Sequence, residues 1–197
     1  MYISVGTFGY ERFSDIFNPY FNAFAASNKP ASQRISHVVL RNCRDIRIEL
    51  DLDNLRRDAA RISHLSFQTI DSLMIQLRNI NERSINMVFD DVLKTEFSGS
   101  ISSPDLILNL FFRELRSSQG SVTFNRVNIG ATIKVLNLVN MAHLTVTSDS
   151  FFRRVEELEI RQSSVATKCH NQLDNNNFYS PDVECNKDSL FSNTIVR

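Results

Sequence analysis

A short pattern of apolar residues recurs along most of this chain and constrains its fold more than any other feature. Each copy has apolar residues at its first, fourth and sixth positions, except for a serine that opens the third copy. The copies are Ile35/Val38/Leu40, Ile62/Leu65/Phe67, Ser84/Met87/Phe89, Ile107/Leu110/Phe112, Ile133/Leu136/Leu138 and Val155/Leu158/Ile160. Their fourth positions are separated by 27, 22, 23, 26 and 22 residues. This period predicts a repeat solenoid with parallel β-sheets, built from about six coils of 22–27 residues.

A second apolar pair follows each of the first five copies. It lies eight and ten residues after the fourth position, except in the fourth coil, where Arg116 to Gly120 indicates an insertion of about four residues. The pairs are Ile46/Ile48, Leu73/Ile75, Thr95/Phe97, Val122/Phe124 and Leu144/Val146. Because apolar and polar residues alternate around each pair, the pattern favours a second short strand over a helix.

The repeat divides the chain into three regions: an aromatic-rich N-terminal cap over residues 1–33, a solenoid of about six repeats over 34–163, and a polar, Asn-rich tail over 164–197. In the cap, aromatic and apolar residues recur at helical spacing. They are Phe13, Ile16, Phe17, Tyr20, Phe21 and Phe24. Asn18 and Pro19 suit an N-cap and a first helical position, so we expect a regular helix from there to about Ser27. Such a helix would cover the open end of the solenoid.

Charge and hydropathy argue against several classes of partner. Lys plus Arg equals Asp plus Glu, 22 each, so no net field would recruit nucleic acid or an anionic membrane. The sequence has no apolar run of the roughly 18 residues that a membrane span requires. Its first residues also lack the basic flank and apolar run of a signal peptide. We therefore expect no nucleic-acid partner, no membrane span and, if the chain is complete, a cytoplasmic location.

The cysteines do not determine whether the protein is extracellular or cytosolic. Cys169 and Cys185 could form a disulfide that stabilises the C-terminal end by about 3 kcal/mol, which would require an oxidising compartment. Two free thiols are the alternative. The sequence contains no Asn-X-Ser/Thr glycosylation site, which argues against a glycosylated secretory protein.

Outward residues of the first strand are the candidate binding residues, because side chains alternate along a strand. Stacked His37 and His64 lack a neighbouring carboxylate or thiol, so a solvated pair is favoured over a metal site. Phe111 with Arg113 is the best candidate anchor for a partner, unless a second layer covers the ring. No catalytic constellation, metal site or cofactor motif is recognisable. The predicted binding residues are His37, His64, Gln68, Asp90, Phe111, Arg113, Asn137 and Arg161.

The pattern over residues 35–163 resembles leucine-rich repeats, especially those of animal ectodomains, with the residues Val155-Glu-Glu-Leu-Glu-Ile160 as its clearest copy. Leucine-rich-repeat proteins are curved solenoids whose parallel sheet binds other proteins. This chain departs from the family at the ninth position, where an Asn ladder is replaced mostly by inward apolar residues. Those residues and the second strand also suit a parallel β-helix or a receptor L domain.

We therefore expect a non-catalytic protein-protein interaction module that presents a solenoid sheet face to a protein partner. A piece of an extracellular adhesion or receptor protein is one setting for it. A cytosolic leucine-rich-repeat-type adaptor is an alternative, favoured by the lack of a signal peptide and glycosylation sites. A parallel β-helix that binds glycans or acts on polysaccharides is less favoured, because outward carboxylates do not cluster across the middle coils.

Overall fold

A computed structural model describes residues 2–4, 10–27, 34–55, 57, 60–78, 80–114, 119–147, 150–161, 166–169 and 195–196. The protein is a parallel β-solenoid of about five turns with one α-helix, which confirms the predicted solenoid. The elements are β1 Tyr2–Ser4, β2 Tyr10–Arg12, α1 Phe13–Ala26, β3 Ile35–Leu50, a 3-10 helix Leu52–Asn54, β4 Ala60–Leu77, β5 Ser84–Ile101, β6 Ile107–Arg113, β7 Gly120–Val139, β8 Met141–Val146, β9 Phe151–Arg161, β10 Ala166–Cys169 and β11 Ile195–Val196.

The first face of the solenoid stacks the six predicted strand segments, so that five revolutions of the chain separate the first segment from the last. We number these segments as turns 1 to 6. All of them pair in parallel with the segment one turn away. The predicted fourth positions lie opposite one another across the whole stack. They are Val38, Leu65, Met87, Leu110, Leu136 and Leu158. Since each of the four inner strands has a neighbour on both sides within this stack, its backbone polar groups are paired there.

The second face is formed by residues 43–50, 70–77, 92–98, 120–124, 141–146 and 166–169. The apolar pairs predicted for a second strand lie on it and point inward, so that prediction is confirmed. Nine of these ten residues are buried hydrophobic side chains, and Thr95 is buried as well. A short third face pairs residues 99–101 with 127–129 and then 128–129 with 151–152.

Single residues with positive φ turn the chain from the first face to the second without ending the strand. Asn42, Thr69 and Asp91 have φ of 58°, 54° and 62° and lie at the same corner of turns 1 to 3. One left-handed residue changes the chain direction sharply while the residues on either side remain extended. This corner explains why β3, β4 and β5 are 16 to 18 residues long, although each lies on two faces.

Stacked phenylalanine rings fill the centre of the solenoid. Phe67, Phe89 and Phe112 occupy the sixth position of turns 2 to 4, with ring centroids 5.2 and 4.4 Å apart. On the second face, Phe97 and Phe124 stack at 5.1 Å, and Phe97 meets Phe89 edge to face at 5.7 Å. Aromatic pairs in these geometries contribute beyond their burial, so the rings join the two faces across neighbouring turns.

The predicted first position is wrong in turns 3 and 4. Ser84 is exposed and Ile107 is 38% exposed, whereas the next residues, Ile85 and Leu108, are buried. Leu108 pairs with Ile133, but Asn109 then pairs with Val135, so turn 4 has one residue fewer than turn 5 at this place. Inward residues alternate strictly in turns 3 and 4, whereas turns 2, 5 and 6 have two residues between the buried first position and the fourth position.

Helix α1 begins at Phe13 rather than at Asn18, and Pro19 lies within it. The predicted helical face is also narrower than expected, because Phe13, Phe17 and Phe21 are fully buried while Tyr20 is 50% exposed. The three rings belong to the same core as the first turn of the solenoid. Helix α1 therefore packs against β3 at the N-terminal end of the stack.

A buried aspartate from the solenoid caps this helix. The Asp51 carboxylate accepts a hydrogen bond from the backbone N–H of Ser14 at 2.8 Å and one from the Ser14 hydroxyl at 2.5 Å. Nδ2 of Asn54 donates to the same carboxylate at 3.0 Å. A carboxylate at a helix N-terminus satisfies N–H groups that lack a partner within the helix, so Asp51 fixes the position at which α1 begins.

Beyond residue 163 the structure describes two short strands. β10 pairs with β8 and extends the second face, while β11 pairs with β9 on the first. Cys185 lies outside the described residues, so the disulfide between Cys169 and Cys185 stays a prediction.

Candidate functional site

The outward surface of the first face holds the predicted binding residues in three columns, at the third, fifth and seventh positions of each strand. Backbone pairing puts equivalent positions of neighbouring turns side by side. Adjacent strands lie about 4.8 Å apart, so residues within a column are in contact range. We call this the first-face surface. It comprises the outward side chains of turns 1 to 5, together with Glu157 and Glu159 of turn 6.

A ladder of imidazole and amide groups occupies the third-position column. The rings of His37 and His64 stack with centroids 4.1 Å apart and planes inclined by 8°, which confirms that these side chains meet. Nε2 of His64 lies 3.0 Å from Nδ2 of Asn86. Asn86 Oδ1 in turn accepts a hydrogen bond from Nδ2 of Asn109 at 2.7 Å. The ladder therefore continues through four turns.

The direction of this ladder determines the protonation of His64. Since the oxygen of Asn86 accepts from Asn109, its nitrogen donates to Nε2 of His64, which must then carry no proton. The proton sits on Nδ1, which lies 2.9 Å from the hydroxyl of Ser63. Burial, followed by the positive charge of His37 when protonated, lowers the pKa of His64 below its usual 6.5. Neutral His64 is thus the form that the folded protein favours.

Acidification should therefore weaken the fold through His64. In the unfolded chain His64 gains a proton below about pH 6.5, whereas the folded protein resists protonation until its lower pKa is reached. Stability is thus complete above pH 6.5 and declines as the pH falls towards the folded pKa. We expect the urea midpoint to fall between pH 7.5 and 5.5, and to fall less in His64→Asn, which keeps an amide in the ladder. An equal decline in both proteins would contradict this assignment.

Side chains of the seventh-position column form an ion pair and a hydrogen bond. Nε and a terminal nitrogen of Arg113 each lie 3.0 Å from Oδ1 of Asp90. Nε2 of Gln68 donates to the hydroxyl of Ser66 at 3.1 Å. The pairing with Asp90 keeps the Arg113 side chain on the first-face surface next to Phe111.

Phe111 is the centre of an apolar patch in the fifth-position column. It lies between Val88 and Asn137 of the neighbouring turns, and Val135 and Val139 flank Asn137 along the next strand. Phe111 and the three valines are half-buried rather than covered. The described residues therefore do not form a second layer that buries Phe111. Asn137 donates a hydrogen bond to Glu159, which places polar groups at the edge of the patch.

The eight predicted residues thus lie on one face, but they do not form one cluster. His37 and His64 belong to the ladder, whereas Asp90, Phe111 and Arg113 meet around turns 3 and 4. Arg161 pairs with Val139 through the backbone of β9. The role of its side chain stays a prediction.

Sequence reasoning missed a polar cluster on the second face. The Tyr10 hydroxyl donates to Oε2 of Glu49 at 2.6 Å, and Nε of Arg78 donates to Oε1 at 3.1 Å. The Tyr10 hydrogen bond, followed by the bond and positive charge of Arg78, lowers the pKa of the Glu49 carboxyl. These contacts join β2, β3 and the end of β4. Tyr10 and Glu49 are 39 positions apart in the sequence, so no local pattern indicated this cluster.

Among the residues that the structure describes, no three His, Cys, Asp or Glu side chains are grouped so that they could hold a metal ion. Cys43 is a free thiol buried at the inward ninth position. In the described ranges, no helix has the length and hydropathy needed to cross a bilayer.

Comparison of the chain with protein-family models, with curated proteins and with solved structures gave no match.

Proposed function

We propose that the chain is a non-catalytic interaction module and that its first-face surface binds a protein partner. The observation that carries this proposal is the half-buried patch formed by Phe111 with Val88, Val135 and Val139. Protein interfaces combine an apolar, often aromatic centre with a polar rim. The Asp90–Arg113 pair and the Asn137–Glu159 hydrogen bond supply such a rim.

The rigidity of the surface supports the same role. Each outward side chain belongs to a strand that pairs with the turns before and after it. Hydrogen bonds within the columns already orient Asn86, Asn109 and Arg113. Binding a partner would therefore cost little conformational entropy, because these side chains are already ordered before the partner binds.

We also propose that the solenoid is a parallel β-helix. Strands on the second face of each turn, together with inward residues such as Cys43 at the ninth position, support the parallel β-helix alternative over a leucine-rich repeat. Binding through the first-face surface is compatible with either architecture. An extracellular adhesion or receptor protein and a cytosolic adaptor both remain settings for this module, and a non-reducing gel of the native protein distinguishes them through Cys169 and Cys185.

Replacing Phe111 and Arg113 together by alanine should weaken partner binding at least tenfold. Large aromatic and arginine side chains at the centre of an interface account for most of its affinity, and about 1.4 kcal/mol corresponds to a tenfold change. A partner captured by the wild-type protein would be purified and titrated with both proteins by calorimetry. Unfolding in urea would show that the double variant is folded.

The matched control is Met74→Ala with Lys94→Ala, which removes an apolar and a cationic side chain from the second face. It should leave the affinity within about twofold of the wild type, because surface changes away from an interface have small effects. Loss of binding in this control, with normal binding by the first-face variant, would assign the interaction to the second face.

A further inference from the structure

Three arginines lie three residues before the third position of the first-face strand in consecutive turns. They are Arg34, Arg61 and Arg83. The register shift between Ile35 and His37 means that Arg34 is not directly opposite Arg61. All three side chains are exposed. With turns about 4.8 Å apart, this row of arginines extends over about 10 Å along the stack. The corresponding residues in turns 4 and 5 are Leu106 and Thr132, and turn 6 has a single arginine there, Arg154, so arginines in consecutive turns occur only in turns 1 to 3.

A groove runs along this row, at the corner that leads into the first face. It consists of two adjoining cavities of about 220 and 530 Å³, both lined by Arg34, Arg61 and Glu82. Arg57 lines the smaller cavity and Arg83 the larger one. Four guanidinium groups therefore border one continuous depression. The hydroxyls of three serines add hydrogen-bonding groups to its larger part, and these residues are Ser36, Ser63 and Ser84.

The groove keeps a positive charge after its carboxylates are counted. Its described lining carries four arginines against Asp53 and Glu82, which leaves a formal charge of +2 in a chain whose net charge is zero. Both carboxylates already have partners. Oδ1 of Asp53 accepts the backbone N–H of Asn81 at 2.8 Å, and Oε2 of Glu82 lies 3.2 Å from Nε of Arg61.

We propose that this groove binds a small ligand with two linked phosphate groups, such as a diphosphate. Guanidinium groups pair with phosphate oxygens through parallel hydrogen bonds, and one phosphate group offers three acceptor oxygens. A single phosphate cannot contact both ends of a row about 10 Å long, whereas two linked groups reach further along it. Glu82 orients Arg61 through Nε and leaves the other guanidinium nitrogens of this residue for the ligand.

Calorimetric titration of the full chain with inorganic pyrophosphate at low salt tests the site. We expect saturable binding by the wild type and at least tenfold weaker binding by Arg61→Gln, because this arginine lines both cavities. Glu82→Gln should bind several-fold more tightly, since its amide oxygen can still accept from Nε of Arg61 while the negative charge that repels phosphate is removed. Opposite changes in these two variants would not result from a general loss of structure.

Arg154→Gln is the matched control. Arg154 is 61% exposed and lies 3.2 Å from Glu156, much as Arg61 is 62% exposed and lies 3.2 Å from Glu82. This control should bind pyrophosphate within twofold of the wild type. The proposal would be overturned by absence of binding, by equal weakening in Arg61→Gln and Arg154→Gln, or by tighter binding of a sulfated disaccharide than of pyrophosphate.

Discussion

Replacing Phe89 by alanine is expected to lower the free energy of unfolding by about 3–5 kcal/mol, the range for removal of a buried aromatic side chain. Phe89 is 1% exposed and lies at the centre of the ring stack, 5.2 Å from Phe67 and 4.4 Å from Phe112. It also meets Phe97 of the second face edge to face. The substitution would thus remove contacts that join three turns and two faces, and the strands around it are too constrained to close the cavity.

Urea unfolding followed by circular dichroism measures this loss. The matched control is Phe111→Ala, which removes the same ring from a half-buried outward position and should cost about 1 kcal/mol. A similar loss in the two variants would mean that the ring stack contributes no more to stability than the outward patch does.

Asp51→Ala should free helix α1 from the end of the solenoid at a cost of about 2–3 kcal/mol. The substitution removes a charged acceptor that three donors share, and hydrogen bonds to charged groups are among the stronger ones in proteins. It also leaves the buried Ser14 hydroxyl and backbone N–H without this acceptor. Amide hydrogen exchange should then accelerate over residues 13–26, while the central turns keep their protection.

Ser14→Ala provides the control for this prediction. It removes the hydroxyl bond to Asp51 but keeps the bond from the backbone N–H, so the loss should be clearly smaller. If Asp51→Ala accelerated exchange equally in all turns, Asp51 would be supporting the whole solenoid rather than the attachment of α1.

The period of the sequence predicted which residues pair, and it did so because a solenoid repeats one environment. Val38 and Leu65 lie opposite each other because each fills the same inward place in its turn. The second strand was predictable for the same reason, since the alternating pair Leu73/Ile75 has the spacing of Ile46/Ile48.

Details that depend on a single residue or a distant partner were not predictable. Nothing local indicates that Thr69, a β-branched residue that suits a strand, takes a left-handed conformation. The first-position errors at Ser84 and Ile107 arose because turns 3 and 4 have one residue fewer than turns 2 and 5 between the buried first position and the fourth position. The start of α1 depends on Asp51, which lies 37 residues after Ser14.

The candidate site was predictable only in part. His37 and His64 share the third-position column, and their rings are in contact as expected. The structure shows that hydrogen bonds continue this column to Asn86 and Asn109. The Asp90–Arg113 pair follows from the same columns once the register of turns 3 and 4 is known. The chemistry of a partner could not be predicted, because the outward positions of the sheet match no sequence motif of known chemistry.

The uniform pairing of neighbouring turns also has a consequence for folding kinetics. Val38 meets Leu65, 27 residues away, and Leu65 meets Met87, 22 residues away, so first-face contacts require loops of similar size. Loop-closure entropy changes little over such a range. Folding can therefore nucleate at any adjacent pair of turns and extend in both directions, as in a one-dimensional lattice. In such a lattice the central turns should be the last to open, since each of them has a neighbour on both sides.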